Sequence, residues 1–188
     1  MQILQTWHGG MSFHGCVLGC ILATVLFAWK KGLEIHQLSD KLAVVVPIGL
    51  FFGRIANFIN AELYGRPTDL PWGMVFPTAD DLPRHPSQLY EAGLEGLVLF
   101  IILFAMARKN PRPWALTGTF LMGYGIFRFF IEYARMPDTH LQDGIFTTIT
   151  MGQILCLPMV ILGVYYLFIH RGSAVSYTHL TLPTTRYV

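Results

Sequence analysis

Five stretches of the chain are almost free of charge: about Gly15 to Trp29, Leu42 to Phe58, Gly93 to Ala107, Trp114 to Ile131, and Ile145 to Ile169. Lys30 and Lys31 end the first, Arg108 and Lys109 the third, and His170 and Arg171 the fifth. Apolar runs of this kind predict membrane-spanning helices, which need about 20 residues to cross the hydrocarbon. Several runs are shorter than that, so their ends are expected to include polar residues that face protein rather than lipid. The predicted fold is an all-α, polytopic transmembrane helix bundle with about five spans. Between the second and third runs, the Asn60–Ala92 segment holds Pro67, Pro71, Pro77, Pro83 and Pro86. Prolines at that density disfavour helix and predict an ordered, irregular loop.

The basic residues orient this pattern. Lys30, Lys31 and Lys41 follow the first run, Arg108, Lys109 and Arg112 the third, and Arg171 the fifth. Alternating spans put them on one side, which the positive-inside rule makes cytoplasmic. The start of the chain, the Asn60–Ala92 loop and the Tyr133–Gly144 loop then lie outside. Arg66, Arg84 and Arg135 fall in those outer loops, and read as functional charges.

Composition narrows the class. The 188 residues suit one domain. They are 53% hydrophobic and 13% charged, against about 25% charged for a soluble domain. A net charge of +2, with no basic face interleaved with aromatics, excludes a nucleic-acid binder. Cys16 and Cys20 lie one helical turn apart and Cys156 is remote. That spacing falls short of a thiolate metal site, so no metal or cofactor is expected. Met1 to Trp7 lacks the basic and apolar regions of a signal peptide, and no internal repeat is evident. From Ser173 the chain turns Thr-rich and loses periodicity. The expected division is a transmembrane domain over 1–172 and a disordered, non-native tail over 173–188.

Four polar clusters fall at the predicted outer ends of the spans. His8 to Gly15 (His-Gly-Gly-Met-Ser-Phe-His-Gly) opens the first. Gly53 to Gly65 closes the second, with Arg54, Asn57 and Asn60 three residues apart and so on one helical face. Arg84 to Glu91 (Arg-His-Pro-Ser-Gln-Leu-Tyr-Glu) leads into the third. Tyr124, Arg128 and Glu132 repeat every four residues near the end of the fourth. An arginine inside a span costs at least about 2.5 kcal/mol on insertion scales, so two of them call for a partner or a ligand. An ion pair for Arg128 with Glu132, or snorkelling for Arg54, would answer each residue singly. Four clusters at one level point further. Paired arginines at headgroup depth suit a phosphate, a nearby histidine can take a proton from a nucleophile, and Asn, Gln, Ser and Tyr can orient glycerol or carbonyl oxygens. A phospholipid substrate with its phosphate as leaving group is the chemistry these residues fit.

The segment Gly53-Arg54-x-x-Asn57-Phe58-x-Asn60-x-Glu62-x-x-Gly65 resembles the signature of the bacterial prolipoprotein diacylglyceryl transferases. The stretches His8 to Gly15, Arg84 to Glu91 and Phe127 to Glu132 are similar to other segments of that family, in the same order. The resemblance runs from about Trp7 to Arg171. It implies transfer of the diacylglyceryl group of phosphatidylglycerol to the lipobox cysteine thiol of a prolipoprotein signal peptide, giving a thioether and glycerol phosphate. It implies a multi-pass protein of the bacterial cytoplasmic (inner) membrane with its site toward the outer leaflet, and membrane lipids as partners.

Under that resemblance Arg54 and Arg128 hold the phosphate. His14 is the candidate base for the thiol and His85 its rival. Asn57, Asn60, Glu62, Gly65, Ser87 and Tyr90 shape the substrate site, and Glu132 holds Arg128 in place. The family has seven spans, and removing two N-terminal spans preserves the parity of the five found. Truncation is therefore expected, with loss of a tyrosine that matters in the family, and with it inactivity of this fragment on its own. The alternative is a small transporter or channel with an intramembrane Arg/Glu/His path, which predicts charges spread through the membrane depth or two repeated halves.

Overall fold

The computed structural model describes residues 13–136 and 150–170. Among these residues five helices follow one another: α1 (Phe13–Lys31), α2 (Ile35–Ile59), α3 (Ser87–Ala107), α4 (Ala115–Ile131) and α5 (Met151–Val164), the last continued by a π-helical turn over Tyr165–Ile169. Among the described residues there is no β-strand, only isolated antiparallel bridges in the loops. The helices α2, α3 and α5 are long and apolar enough to cross a membrane, and α4 is a shorter apolar helix of 17 residues. Leu18, Phe52, Ile101, Ile161 and Phe168 stand exposed on the outside of the bundle. An apolar exterior over a helical bundle is what a lipid solvent requires. The chain is a membrane helix bundle, as its hydropathy pattern predicts.

The boundaries differ from the apolar runs in an instructive way. Helix α2 begins at Ile35 rather than near Leu42, and contains a buried Pro47. Helix α3 begins at Ser87 rather than near Gly93, and its second turn becomes π-helical over Ala92–Val98. The extra residues are polar, and Ser87, Gln88 and Glu91 are buried. Hydropathy reads such residues as loop, whereas protein neighbours supply the partners that lipid cannot. The start of the fifth run and the tail lie outside the described residues.

Ala43, Leu99, Leu103 and Leu116 form the core where α2, α3 and α4 meet, flanked by Phe120, Tyr124 and Phe127. Small residues allow the close approaches. A Cβ on Gly96 would lie 2.7 Å from that of Phe51 on α2. One on Gly163 would lie 2.8 Å from the Gly118 carbonyl, where α5 packs along α4. Lipid offers no hydrophobic drive between helices, so such contact is the source of their adhesion.

One end of the bundle is tied by Asp40. Helix α4 starts from Trp114, whose φ of 66° is left-handed and whose side chain makes no cap. Asp40 of α2 supplies the cap from the neighbouring helix, accepting the Trp114 N–H at 2.8 Å, the Thr117 N–H at 2.7 Å and the Thr117 hydroxyl at 2.6 Å. The Trp114 ring then stacks on Tyr166 of α5, with centroids 4.8 Å apart. The start of α2, the start of α4 and the end of α5 thus share one end, and the candidate site residues of α2, α3 and α4 collect at the other.

The loop between α2 and α3 is ordered as its prolines predict. Gly65 N–H donates to the His85 carbonyl and His85 N–H to the Arg66 carbonyl, at 2.9 and 3.0 Å. Met74 and Arg84 exchange both backbone bonds, and Arg66 N–H reaches the Ala134 carbonyl beyond α4. The Arg84 guanidinium pins the loop with a two-pronged bond to Asp80 at 2.9 and 2.8 Å, a bond to the Gly65 carbonyl, and a position over the Tyr64 ring.

Two outcomes test this frame. Replacing Asp40 by Ala leaves three donors uncapped and lowers stability by about 2 kcal/mol, read as a lower denaturation midpoint in detergent, with Asp40→Asn intermediate. The Arg84 hydrogen bonds hold the Asp80 carboxyl below its usual range, against the effect of burial. Its contribution to loop order is therefore present at neutral pH and lost as pH falls through the lowered value. Protection of the Met74 and Arg84 amides, taken relative to their intrinsic exchange rates, should fall on acidification in the native protein and show no such loss in Asp80→Asn.

Candidate active site

At the end opposite Asp40, three helices deliver charged side chains to one point. Arg54 comes from α2, Glu91 and Glu95 from α3, and Arg128 from α4, with Glu132 and Arg135 just beyond it. Glu91 is the centre. Its Oε2 lies 2.5 Å from Arg54 Nε, its Oε1 accepts from Arg128 Nη1 at 3.1 Å, and Arg135 Nε stands 3.8 Å from the same oxygen. The Arg54 contact is an ion pair without hydrogen-bond geometry, since Oε2 receives no correctly directed donor among the described residues. Arg128 also faces Glu132 at 3.4 Å and Glu95 at 3.8 Å.

Exposure decides how the centre is arranged. The side chain of Glu91 is 2% accessible, against 19% for Arg54 and 12% for Arg128. The carboxylate is the buried floor of the group, and the arginine side chains keep the larger accessible share. One carboxylate shared by arginines of different helices sets their separation, and guanidinium is the side chain best suited to an oxyanion. Glu132 is itself buried against the start of α5, where a Cβ on Gly152 would sit 2.9 Å from its carboxylate. Thr150 caps that helix with a reciprocal Gln153 bond.

The expected residues are distributed as follows. Arg54 Nη1 points to Asn57 Oδ1 at 3.5 Å, and Asn57 Nδ2 donates to Glu62 Oε2 at 3.4 Å, which joins these three in one line. Asn60 is exposed and ends α2 through its backbone, its N–H reaching the Ala56 carbonyl. After it the chain turns sharply, with Ala61 and Leu63 at φ 54° and 55°, a left-handed conformation that costs non-glycine residues energy and needs outside support. The support comes from α3: Gln88 Nε2 donates to the Glu62 carbonyl at 2.6 Å and the Ser87 hydroxyl to that of Leu63 at 3.1 Å. Ser87 is fully buried in that role. Gly65 is buried where any Cβ would strike the Ala134 carbonyl and His85.

His85 and Tyr90 form a second group beside the loop. The Tyr90 hydroxyl lies 3.3 Å from His85 Nδ1 and accepts from Trp72 Nε1 at 2.8 Å. Tyr124 packs into the core and stacks on Phe120. His14 lies in the first turn of α1, and its side chain is outside the described residues, as are His8 to Ser12. Sequence reasoning quoted Glu91 without a role and passed over Glu95. Both were legible as an acidic pair four residues apart at the head of an apolar run, which in a membrane faces the bundle interior. No group of His, Cys, Asp or Glu suited to a metal ion occurs among the described residues.

Fold and site together define a helical membrane protein with an arginine-rich polar centre built on a buried carboxylate. The profile of the prolipoprotein diacylglyceryl transferase family matches residues 1–169, and the chain belongs to that family. It is 53% identical over 166 residues to the phosphatidylglycerol–prolipoprotein diacylglyceryl transferase of Methylococcus capsulatus, covering 88% of this chain and 63% of that protein. The enzyme of the same name from Gluconacetobacter diazotrophicus is 57% identical over 169 residues, covering 87% and 60%. That from Pseudomonas fluorescens is 52% identical over 180 residues, covering 93% and 66%. The chain spans a little under two thirds of the length of these curated relatives.

The hub makes its own prediction. Glu91→Ala leaves three arginines without their shared counter-charge and should cost about 3 to 5 kcal/mol. Glu91→Gln keeps the shape and should lose less. Chemical denaturation of both variants in detergent measures the order, and equal stability of Glu91→Ala and the native protein would refute the central place given to Glu91.

Proposed function

We propose that this chain supplies most of the active site of an enzyme that moves the diacylglyceryl group of phosphatidylglycerol onto the lipobox cysteine of a prolipoprotein. The observation that supports this best is the Arg54–Glu91–Arg128 centre, in which two arginines from different helices meet at one buried carboxylate. A phosphodiester monoanion seated on those arginines has its glycerol carbon open to attack. The cysteine sulfur forms the new C–S bond as the C–O bond breaks, and the electron pair leaves with the phosphate. The thiol proton passes to a base, for which His14 and His85 are the candidates. The leaving phosphate gains one negative charge, and Arg54 and Arg128 oppose it most strongly at that moment, which is where binding energy accelerates a reaction.

Asn57, Asn60, Glu62, Gly65, Ser87 and Tyr90 shape the pocket around the headgroup, directly or through the turn they hold. Glu132 keeps Arg128 in register. The basic residues at the Asp40 end and the polar centre at the other are consistent with a cytoplasmic-membrane protein whose site opens to the outer leaflet.

The test is direct. Protein extended to the full length of the relatives, in micelles containing phosphatidylglycerol, is given a lipobox peptide, and the peptide's mass is followed. A gain of one diacylglyceryl group is expected, and no gain from folded protein would rule the reading out. Arg54→Ala and Arg128→Ala should each lower the rate by about a hundredfold or more. Normal rates in both would refute the phosphate assignment.

A further inference from the structure

We infer that Trp72 and Tyr90 hold His85 in the tautomer that carries its proton on Nε2, which makes His85 a hydrogen-bond donor to the substrate and not the base for the thiol. The tautomer rests on donor and acceptor counting within the Trp72, Tyr90 and His85 group. The donor role rests on the lipid substrate proposed above.

The counting starts at Trp72. An indole N–H can only donate, and Nε1 of Trp72 lies 2.8 Å from the Tyr90 oxygen. That bond occupies a lone pair of the phenol and leaves the phenol's own proton to be placed. His85 Nδ1, 3.3 Å from the same oxygen, is the acceptor in reach. The chain then runs in one direction, from Trp72 N–H to Tyr90 O–H to Nδ1 of His85. In the opposite arrangement Nδ1–H would donate to Tyr90, whose oxygen would take two N–H bonds while its proton lost this acceptor. A neutral imidazole has one N–H, and the bond made by one nitrogen fixes the role of the other. With Nδ1 accepting, Nε2 carries the hydrogen.

The placement suits a guide for a substrate oxygen. His85 stands where the loop enters α3, its backbone bonded to Gly65 and Arg66, and its ring meets that of Tyr90 edge-on at 6.0 Å. Glu91, the floor of the arginine centre, directly follows Tyr90 in the chain. An Nε2–H on this residue can meet a phosphate or glycerol oxygen of a bound lipid without any proton changing hands. Trp72 and Tyr90 are positioning residues, acting through His85.

The experiment reads the tautomer itself. Imidazole-nitrogen NMR of histidine-labelled chain in phosphatidylglycerol nanodiscs, at a pH where the ring is neutral and with His85→Gln for assignment, should show a pyridine-like Nδ1 and a pyrrole-like Nε2. Tyr90→Phe should mix the two forms. A pyrrole-like Nδ1 in the native protein, or a signature untouched by Tyr90→Phe, overturns the inference.

A kinetic arm uses protein at the length of its relatives. His85→Gln places an amide N–H near the Nε2 position and should keep the rate within about tenfold, while His85→Asn, whose amide falls short, should lose more. A general base would lose on the order of a hundredfold or more in both variants, which would also overturn the inference. Absence of transfer by the native protein would sink the proposed function and leave the tautomer measurement standing.

Discussion

Everything at the polar end of this bundle depends on one carboxylate kept out of water. Glu91 meets Arg54 and Arg128, from helices that flank its own, and stands near Arg135 from the loop beyond. Removing any of these charges from water costs several kcal/mol, so none is tolerable there alone. Together they lock α2, α3 and α4 in register at the level where each would otherwise be free to slide. The same constraint explains why helix α3 extends a turn and a half beyond its apolar run.

The loop answers a related demand. Its turn after α2 adopts left-handed backbone at two residues with side chains, and nothing local favours that. Gln88 and Ser87, on the first turn of α3, hold the carbonyls of Glu62 and Leu63 in place. Arg84 stiffens the remainder through Asp80, Tyr64 and Gly65. Strain, loop order and the line from Arg54 through Asn57 to Glu62 therefore belong to a single assembly.

Much of this was legible beforehand, and what was not has a common cause. The apolar runs foretold the helices because lipid leaves the backbone no alternative. Arg54 and Arg128 stood out because charges inside spans are costly. The i, i+4 spacing of Arg128 and Glu132 foretold their contact, which the structure contains at 3.4 Å. Hydropathy failed at Ser87 to Ala92, since polar residues buried against protein look like loop to any one-dimensional scale. The Ser87 bond to the Leu63 carbonyl and the close packing at Gly65 were likewise invisible to it.

The amino-acid sequence by itself determined the class of fold, the level at which polar residues gather, and the family. All three follow from local pattern: apolar run length, charge placement, and the order of short motifs. Tertiary structure alone decided which charges on different helices are neighbours. The distances of Glu91 from Arg54 and Arg128, the cap that Asp40 lends to α4, and the chain from Trp72 through Tyr90 to His85 join residues 5 to 77 positions apart. Periodicity speaks only for neighbours along one helix. Contacts between helices arise from the packing of all of them, and that is where the paired arginines acquire their separation.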